Sequence, residues 1–244
     1  LLPQLRADHE AAAALCLKKH YVGLVRSCKD LREAKEVNWQ CKGLTESDLT
    51  TLGTLGSVLP ALETLWLVEH SAHAAGPDGV QRLAEGLGAG ALPAVTVLAI
   101  ENMHVGEAGA SALAAALGQG ALLRLKTLKL YNAAIGDAGL VALAPALRRL
   151  LALELLNLDK NPLGDEGLAA LVAPPPPAGV PPLPTGGLMQ LKTLNLNNTQ
   201  VTDTGCATLA AALDSGALPA LETPNLDYCP ASAVAKAAVH ERVS

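Results

Sequence analysis

The sequence contains no phenylalanine, and its 244 residues include only two tryptophans and three tyrosines. Hydrophobic residues nevertheless make up 50% of the chain, so leucine, alanine and valine must fill the interior. Most protein cores use large aromatic rings to occupy this volume. The scarcity of rings therefore favours a layered fold, in which small aliphatic side chains let helices pack closely against strands.

The chain also lacks a surplus of positive charge and a long apolar run. Its 18 basic and 23 acidic residues give a net charge of -5, which argues against a general nucleic-acid-binding protein. The longest apolar candidate, residues 140–158, is interrupted by Arg148, Arg149 and Glu154. A membrane-spanning helix needs about 20 mostly apolar residues, so we expect a soluble protein without a membrane span.

Cysteine is too sparse for a disulfide framework. The five cysteines contain no CxxC pair, which also argues against a zinc site. We interpret them as reduced and mostly buried thiols, a pattern that favours an intracellular, cytoplasmic location. Because the sequence starts at Leu1 rather than at a methionine, processing or truncation of the N-terminus stays open, and with it an organellar location.

Motifs for catalysis and cofactor binding are missing as well. The sequence has no GxxxxGK[ST], HExxH or GxSxG segment, each of which marks a particular type of active site. Glu69, His70 and His73 share one loop but have no further well-spaced partner for a metal. Asp165 and Glu166 lie in a turn that recurs in other repeats, so we interpret them as a repeat feature. We expect no enzymatic activity, no metal and no cofactor.

What the sequence does contain is a repeat of about 30 residues. Segments that resemble LxxLxL start at residues 34, 62, 95, 125, 153, 191 and 221. A loop with glycine follows every segment except the last, and an alanine- and leucine-rich helix follows the loop. The apolar residues of LxxLxL point to one side of a short strand, where the helix would cover them. No single unit can bury this face alone, so the pattern predicts a stack of units.

On these segments the chain resembles leucine-rich repeat proteins of the long-repeat, ribonuclease-inhibitor-like class. The resemblance covers residues 34 to about 240. It implies an α/β solenoid of about seven repeats, a curved right-handed horseshoe with a parallel β-sheet on the concave side and helices on the convex side. The family usually has asparagine three residues after the last strand leucine, and here only Asn161 obeys. Where Met103 and Ala133 stand instead, we expect less regular turns.

Two regions depart from the repeat domain, which we assign to residues 34–244. Apolar residues recur every three or four positions between residues 17 and 31, so residues 1–33 are predicted to form an N-terminal helical cap. The proline-rich insertion 174–184 predicts a stiff surface loop, with a polyproline II ligand as the alternative. Pro224 replaces a strand leucine in the last repeat. It predicts an edge strand there, because proline cannot donate a ladder hydrogen bond.

Positions 3, 5, 7 and 8 of each repeat, counted from its first LxxLxL residue, are predicted to face the concave side. Three of the five aromatic residues fall on these positions, and such residues often carry the binding energy of interfaces. The predicted partner-binding residues are Trp66, Glu69, Glu101, Asn102, Lys129, Tyr131, Asn157, Asp159, Lys160, Asn195, Asn197, Asn225, Asp227 and Tyr228. The alternative is that the rings lie there by chance and that the asparagines form a structural amide ladder.

These features predict a non-catalytic scaffold that binds a partner protein on its concave face. Acidic residues outnumber lysines on that face, which favours a partner with a mildly basic patch. One alternative is a structural subunit of a large multiprotein assembly. The other is a regulator or inhibitor of an enzyme or small GTPase, as the resemblance to ribonuclease inhibitors and Ran GTPase-activating proteins implies.

Overall fold

A computed structural model of the chain describes residues 7, 10, 11, 14, 15, 33–54, 59–70, 75–172 and 188–243. From Glu36 onwards, strands and helices alternate, with one of each in every repeat. The strands are β1 Glu36–Gln40, β2 Thr64–Val68, β3 Val97–Glu101, β4 Thr127–Lys129, β5 Leu155–Asn157, β6 Thr193–Asn195 and β7 Thr223–Asn225. The helices are α1 Glu46–Thr54, α2 Pro77–Gly88, α3 Gly106–Gly118, α4 Asp137–Leu147, α5 Asp165–Leu171, α6 Asp203–Asp214 and α7 Ala233–His240.

The strands form one parallel sheet whose spatial order, β1 to β7, follows the sequence. Each strand pairs with the next in the same register, so that Trp66 lies opposite Ala99 and Ala99 lies opposite Lys129. This register is the one that the aligned repeats predict. The predicted α/β solenoid with a parallel sheet is therefore confirmed.

The core lies between the sheet and the layer of helices. In the fourth repeat, Leu125, Leu128 and Leu130 are at most 2% exposed, as the LxxLxL pattern predicts. Trp39 takes the equivalent of Leu130 in the first repeat and is 1% exposed, so one ring does enter the core. Most of the remaining core positions are filled by leucine and alanine, which explains why a chain of this size needs so few aromatic residues.

Asn161 connects the turns of two adjacent coils. Its side-chain oxygen accepts hydrogen bonds from the backbone N–H groups of Ala133 (3.1 Å) and Ile135 (3.0 Å). Its amide nitrogen donates to the carbonyl groups of Leu130 (2.7 Å) and Leu158 (2.9 Å), and at 3.2 Å to that of residue 159. A single buried side chain therefore satisfies five backbone groups.

Turns without asparagine find other partners. The hydroxyl of Thr199 and the thiol of Cys229 both donate to the carbonyl of Leu196, at 2.7 and 3.0 Å. Ala133 has no polar side chain, and its turn contains an additional residue with left-handed φ, Ala134 (φ 56°). The turn at Ala133 is less regular, as expected.

Aspartates at the start of the helices also join successive coils. A carboxylate oxygen of Asp137 accepts a hydrogen bond from the backbone N–H of Gly164 (2.7 Å), and Asp165 accepts one from Thr202 (2.8 Å). The same interaction in successive repeats agrees with the interpretation of Asp165 as a repeat feature.

Pro224 lies in β7, the last strand of the described sheet. Leu158 and Leu196, at position 6 of their repeats, donate their N–H groups to the strand that follows. Within the strands, the N–H of position 4 therefore points towards the following coil as well, because backbone directions alternate along a strand. Pro224 occupies position 4 and points to the open edge, where its missing N–H removes no hydrogen bond from the ladder. This placement agrees with the predicted edge strand.

Most of the predicted N-terminal cap, the whole insertion 174–184 and His73 lie outside the described residues. Of residues 1–33, the described ones are helical, and Leu15 is buried with the main core. Within the described part of the chain, no helix is long and apolar enough to cross a membrane.

Candidate functional site

Position 5 of the seven strands forms a column on the side of the sheet that faces away from the helices. It consists of Asn38, Trp66, Ala99, Lys129, Asn157, Asn195 and Asn225. Positions 4 and 6 point the other way into the core, because side chains alternate along a strand. Most of the column is half-buried, but Ala99 is 0% exposed. Neighbouring side chains on this face of the sheet must therefore cover Ala99.

Trp66 and Lys129 flank Ala99 in this column and contact each other. The ammonium nitrogen of Lys129 lies 4.6 Å from the centroid of the Trp66 ring. The small side chain of Ala99 leaves the space across which the lysine reaches. A cation over an indole ring gains about 0.5–1 kcal/mol at an exposed site. This contact helps to hold the tryptophan ring in place on the concave face.

Tyr131 forms a second contact of this kind. The ammonium nitrogen of Lys160, from the next coil, lies 5.1 Å from the centroid of the Tyr131 ring. Both rings are half-buried, and each is covered by a lysine from a later repeat. We call Trp66, Lys129, Tyr131 and Lys160, together with the neighbouring Glu101, the ring–lysine surface.

Two half-buried carboxylates accompany the rings. Burial raises the pKa of the Glu101 carboxyl, although the nearby positive charges of Lys129 and His70 lower it in part. Burial also raises the pKa of Asp159, although this carboxylate accepts a hydrogen bond from the backbone N–H of Asn197 at 2.7 Å. Burial therefore disfavours the charged form of both carboxyl groups, and a positive group of a partner would offset this cost.

The raised pKa of Glu101 gives a testable pH dependence. The folded chain binds a proton at Glu101 at higher pH than the unfolded chain does. This group therefore destabilises the fold as the pH rises above 4.5, the ordinary pKa of a glutamate carboxyl. We expect the Glu101→Gln variant to have a larger free energy of unfolding than the wild type at pH 7. The difference from the wild type should disappear below pH 4.5. Urea denaturation of both proteins across this pH range measures it.

Glu154→Gln is the matched control with the opposite sign. Hydrogen bonds from Lys192 and Lys126, and then their positive charges, lower the pKa of Glu154. The ionised form therefore stabilises the fold, and Glu154→Gln should be the less stable protein at pH 7, with the difference lost on acidification. If the two variants shift in the same direction, the burial argument for Glu101 is wrong.

The asparagine-rich half of the concave face is internally hydrogen-bonded. A side-chain oxygen of Asn157 accepts from the backbone N–H of Asp159 (2.9 Å), and Asp159 accepts from Asn197 (2.7 Å). Asn197 in turn accepts from the backbone N–H of Asp227 (2.7 Å). These contacts agree with the alternative that the asparagines form a structural ladder.

Two further amide pairs extend this pattern. The side-chain nitrogen of Asn225 donates to the side-chain oxygen of Asn195 (2.7 Å), and Asn132 donates to Asn102 (2.9 Å). The nitrogen of Asn102 also lies 3.0 Å from Nδ1 of His70. At least one hydrogen-bonding group of each of these amides is already engaged within the fold.

Position 8 is occupied by residues with left-handed φ in six repeats. They are Cys41, Asn102, Asn132, Lys160, Asn198 and Tyr228, with φ between 49° and 59°. Asparagine adopts this conformation more readily than other residues with a side chain, which gives the asparagines here a backbone reason unrelated to binding. Tyr228 is 83% exposed and, unlike Trp66 and Tyr131, has no lysine over its ring among the described residues.

Glu69 does not lie exposed on the concave face, although its position in the repeat predicts that it does. Glu69, at position 8 of the second repeat, is 1% exposed, and its carboxylate accepts a hydrogen bond from the backbone N–H of Leu44 at 2.8 Å. Leu44 and Ile135 both lie five residues after the last core position of their strand. The carboxylate of Glu69 therefore accepts the hydrogen bond from Leu44 that the Asn161 side chain accepts from Ile135. In the repeat of Glu69, the usual asparagine position is occupied by His70.

Comparison with known proteins bears on the repeats. Residues 125–144, 153–172 and 188–210 match a family model described as Leucine Rich repeat, and a search of curated proteins gives no match. Among solved structures, the chain is similar to an internalin from Listeria monocytogenes, with 14% identity, a TM-score of 0.37 and coverage of 97% of this chain and 93% of that one.

The three matched segments coincide with the fourth, fifth and sixth repeats. Each contains the strand, the turn and either the whole of the following helix or its first part. The ribonuclease-inhibitor-like subclass stays a prediction. Three of its repeats are therefore leucine-rich repeats, within an α/β solenoid of seven parallel strands.

Proposed function

We propose that the chain is a non-catalytic scaffold that binds a partner protein through the ring–lysine surface. Leucine-rich repeat folds are typically interaction folds rather than enzymes. The observation that carries the proposal is the pair of rings, Trp66 and Tyr131, each held under a lysine on one face of a rigid sheet. Tryptophan and tyrosine are enriched among residues that dominate binding energy, and a site built on strands is held more precisely than one on loops.

The rest of the predicted site forms the polar border of this surface. Its members are Asn102, Asn157, Asp159, Asn195, Asn197, Asn225, Asp227 and Tyr228. The side chains of the asparagines and of Asp159 already satisfy groups of the fold, so a partner gains less by contacting them. Energetically important contacts usually lie at the centre of an interface, with such near-neutral groups around them.

The charge of the concave face favours a partner with a mildly basic patch. Without the buried Glu69, positions 3, 5, 7 and 8 carry the carboxylates Glu36, Glu101, Asp159 and Asp227 against the ammonium groups of Lys129 and Lys160. Both lysines already lie over rings. An arginine of the partner can stack on a ring and face a carboxylate at the same time, a combination that complementary interfaces use.

The double substitution Trp66→Ala with Tyr131→Ala tests this proposal. Immobilised wild-type chain captures partners from a native extract, and mass spectrometry identifies them. The affinity of the purified partner is then measured by calorimetry. We expect the double variant to lose at least about 2 kcal/mol of binding free energy, roughly a 30-fold rise in Kd, because it removes the two central rings.

Val234→Ala is the control, because Val234 is 80% exposed and lies on α7, away from the sheet. It should bind the partner as the wild type does. Unchanged affinity of the double variant, with an unchanged melting temperature, would place the main contact elsewhere on the solenoid and remove the basis of the proposal.

A further inference from the structure

A second exposed feature lies along the edge of the solenoid where the strands begin. Two residues before the repeat starts, the chain has Pro60, Pro93, Leu123, Leu151, Met189 and Pro219. Three consecutive coils, the fourth to the sixth, thus have a large aliphatic side chain where the second, third and seventh have proline. Leu123 is 62% exposed, Leu151 60% and Met189 43%. We call these three residues the rim stripe.

Packing among the described residues does not account for the rim stripe. The residues just before its members, Leu122, Leu150 and Leu188, are buried and close the core. The stripe residues themselves point to solvent. Proline would restrict the same turn and lower the entropy of the unfolded chain, as it does in the second, third and seventh coils. Single exposed leucines are ordinary on protein surfaces, but three at the same position of consecutive coils make a continuous row.

The rim stripe is surrounded by positive charge. Arg124 and Arg149 are exposed, and neither forms a side-chain hydrogen bond or ion pair with a described residue. Lys126 and Lys192 lie at the start of their strands and share a single carboxylate, that of Glu154, at 3.4 and 3.1 Å. Within these three repeats, four cationic groups therefore accompany one anionic group, in a chain whose net charge is -5. The next carboxylate along the rim is that of Glu222, in the seventh repeat beside Lys192.

The spacing of the row matches that of an α-helix. Adjacent strands of a sheet lie about 4.8 Å apart, and each turn of an α-helix rises about 5.4 Å. A helix that lies along the stack can therefore place an apolar side chain, one from every third or fourth residue, against each member of the stripe. Acidic residues beside its apolar face would meet Arg124 and Arg149.

We propose that the rim stripe binds an acidic amphipathic helix of a partner protein. This site lies at the start of the strands of the fourth to sixth repeats and is separate from the ring–lysine surface. Apolar contact supplies the area, while charge complementarity supplies the preference for an acidic partner. The scaffold then has two docking surfaces, one on the face of the sheet and one on its rim.

The test uses the full chain and a fluorescent synthetic peptide of about 18 residues, long enough for several helical turns. The peptide has leucine at every third or fourth position and glutamate beside the leucines, and fluorescence anisotropy measures its binding. We expect Leu123→Ser, Leu151→Ser and Met189→Ser together to raise Kd by at least about tenfold. Arg124→Glu with Arg149→Glu should do the same, and added salt should weaken binding to the wild type.

Two controls keep this site distinct from the first. Val234→Ser removes another exposed apolar side chain and should bind the peptide as the wild type does. Trp66→Ala with Tyr131→Ala should also leave peptide binding unchanged, so that failure of either proposal is recognised separately. Circular dichroism melting checks that each variant is folded.

Several outcomes would overturn the proposal. The first is that the wild type does not bind the acidic peptide. The second is that the wild type and both rim variants bind it with equal affinity. The third is that a peptide with lysine in place of glutamate binds the wild type as tightly as the acidic peptide does. Capture of the wild type but not the rim variants by phosphatidylserine vesicles, without peptide binding, would assign the stripe to a membrane surface. Self-association in sedimentation that the rim variants abolish would assign it to a second copy of the chain.

Discussion

Replacing Asn161 with alanine is expected to lower the free energy of unfolding by about 4 kcal/mol. The substitution leaves the N–H groups of Ala133 and Ile135 without their acceptor and removes a donor from three carbonyl groups. Each buried polar group without a partner costs about 1–3 kcal/mol. Because these groups are close together, the penalties do not add fully.

Thr199→Ala is the matched control, since Thr199 takes the same place in the following repeat. The Thr199 hydroxyl donates one hydrogen bond to the backbone, to the carbonyl of Leu196, and is also 3.2 Å from the thiol of Cys229. Its loss should cost about 1 kcal/mol. Urea denaturation followed by circular dichroism compares the two variants. Equal destabilisation would mean that Asn161 serves its own turn only and does not connect two coils.

The period of the sequence was sufficient to predict the register of the sheet. A strand face is fixed by alternation, and stacked coils must align their leucines to bury them. The columns at positions 3, 5 and 7 follow directly from the repeat starts, as the pairing of Trp66 with Ala99 and Ala99 with Lys129 illustrates. The starting residue of each repeat decides which residue of its strand joins each column.

The repeat pattern does not predict side-chain contacts between coils. Lys129 reaches the Trp66 ring because Ala99, between them, is small, and the one-repeat pattern contains no information on such a combination. The repeat pattern places Glu69 on the surface, because position 8 is predicted to face the concave side in every coil. It turns inward because its repeat lacks the usual asparagine and a buried N–H group of Leu44 requires an acceptor. Hydrogen-bond demand of the neighbouring coil, rather than position in the repeat, decides where this side chain lies.

Gly86→Ala is expected to destabilise the fold by about 3 kcal/mol, although the sequence pattern favours it. The equivalent residues of α3, α4 and α6 are Ala116, Ala146 and Ala212, and alanine has the higher helix propensity by about 1 kcal/mol. A substitution towards the pattern of the other repeats would ordinarily be expected to stabilise. At Gly86, however, a Cβ atom would lie 2.1 Å from the carbonyl oxygen of Gly53 and 2.4 Å from its Cα.

The atoms that a Cβ at Gly86 would meet are backbone, so no side-chain rotation relieves the overlap. Helices α1 and α2 would have to separate, which opens the core between Leu52 and Leu83 and forfeits buried contacts. Gly118→Ala is the control. Gly118 ends α3, and its Cβ would have no heavy atom within 4 Å, so this variant should match the wild type or gain up to about 1 kcal/mol. Urea denaturation distinguishes the two explanations. If both variants were stabilised, helix propensity would govern both positions. A loss at Gly86 alone would show that close approach of two backbones decides where this solenoid uses glycine instead of alanine.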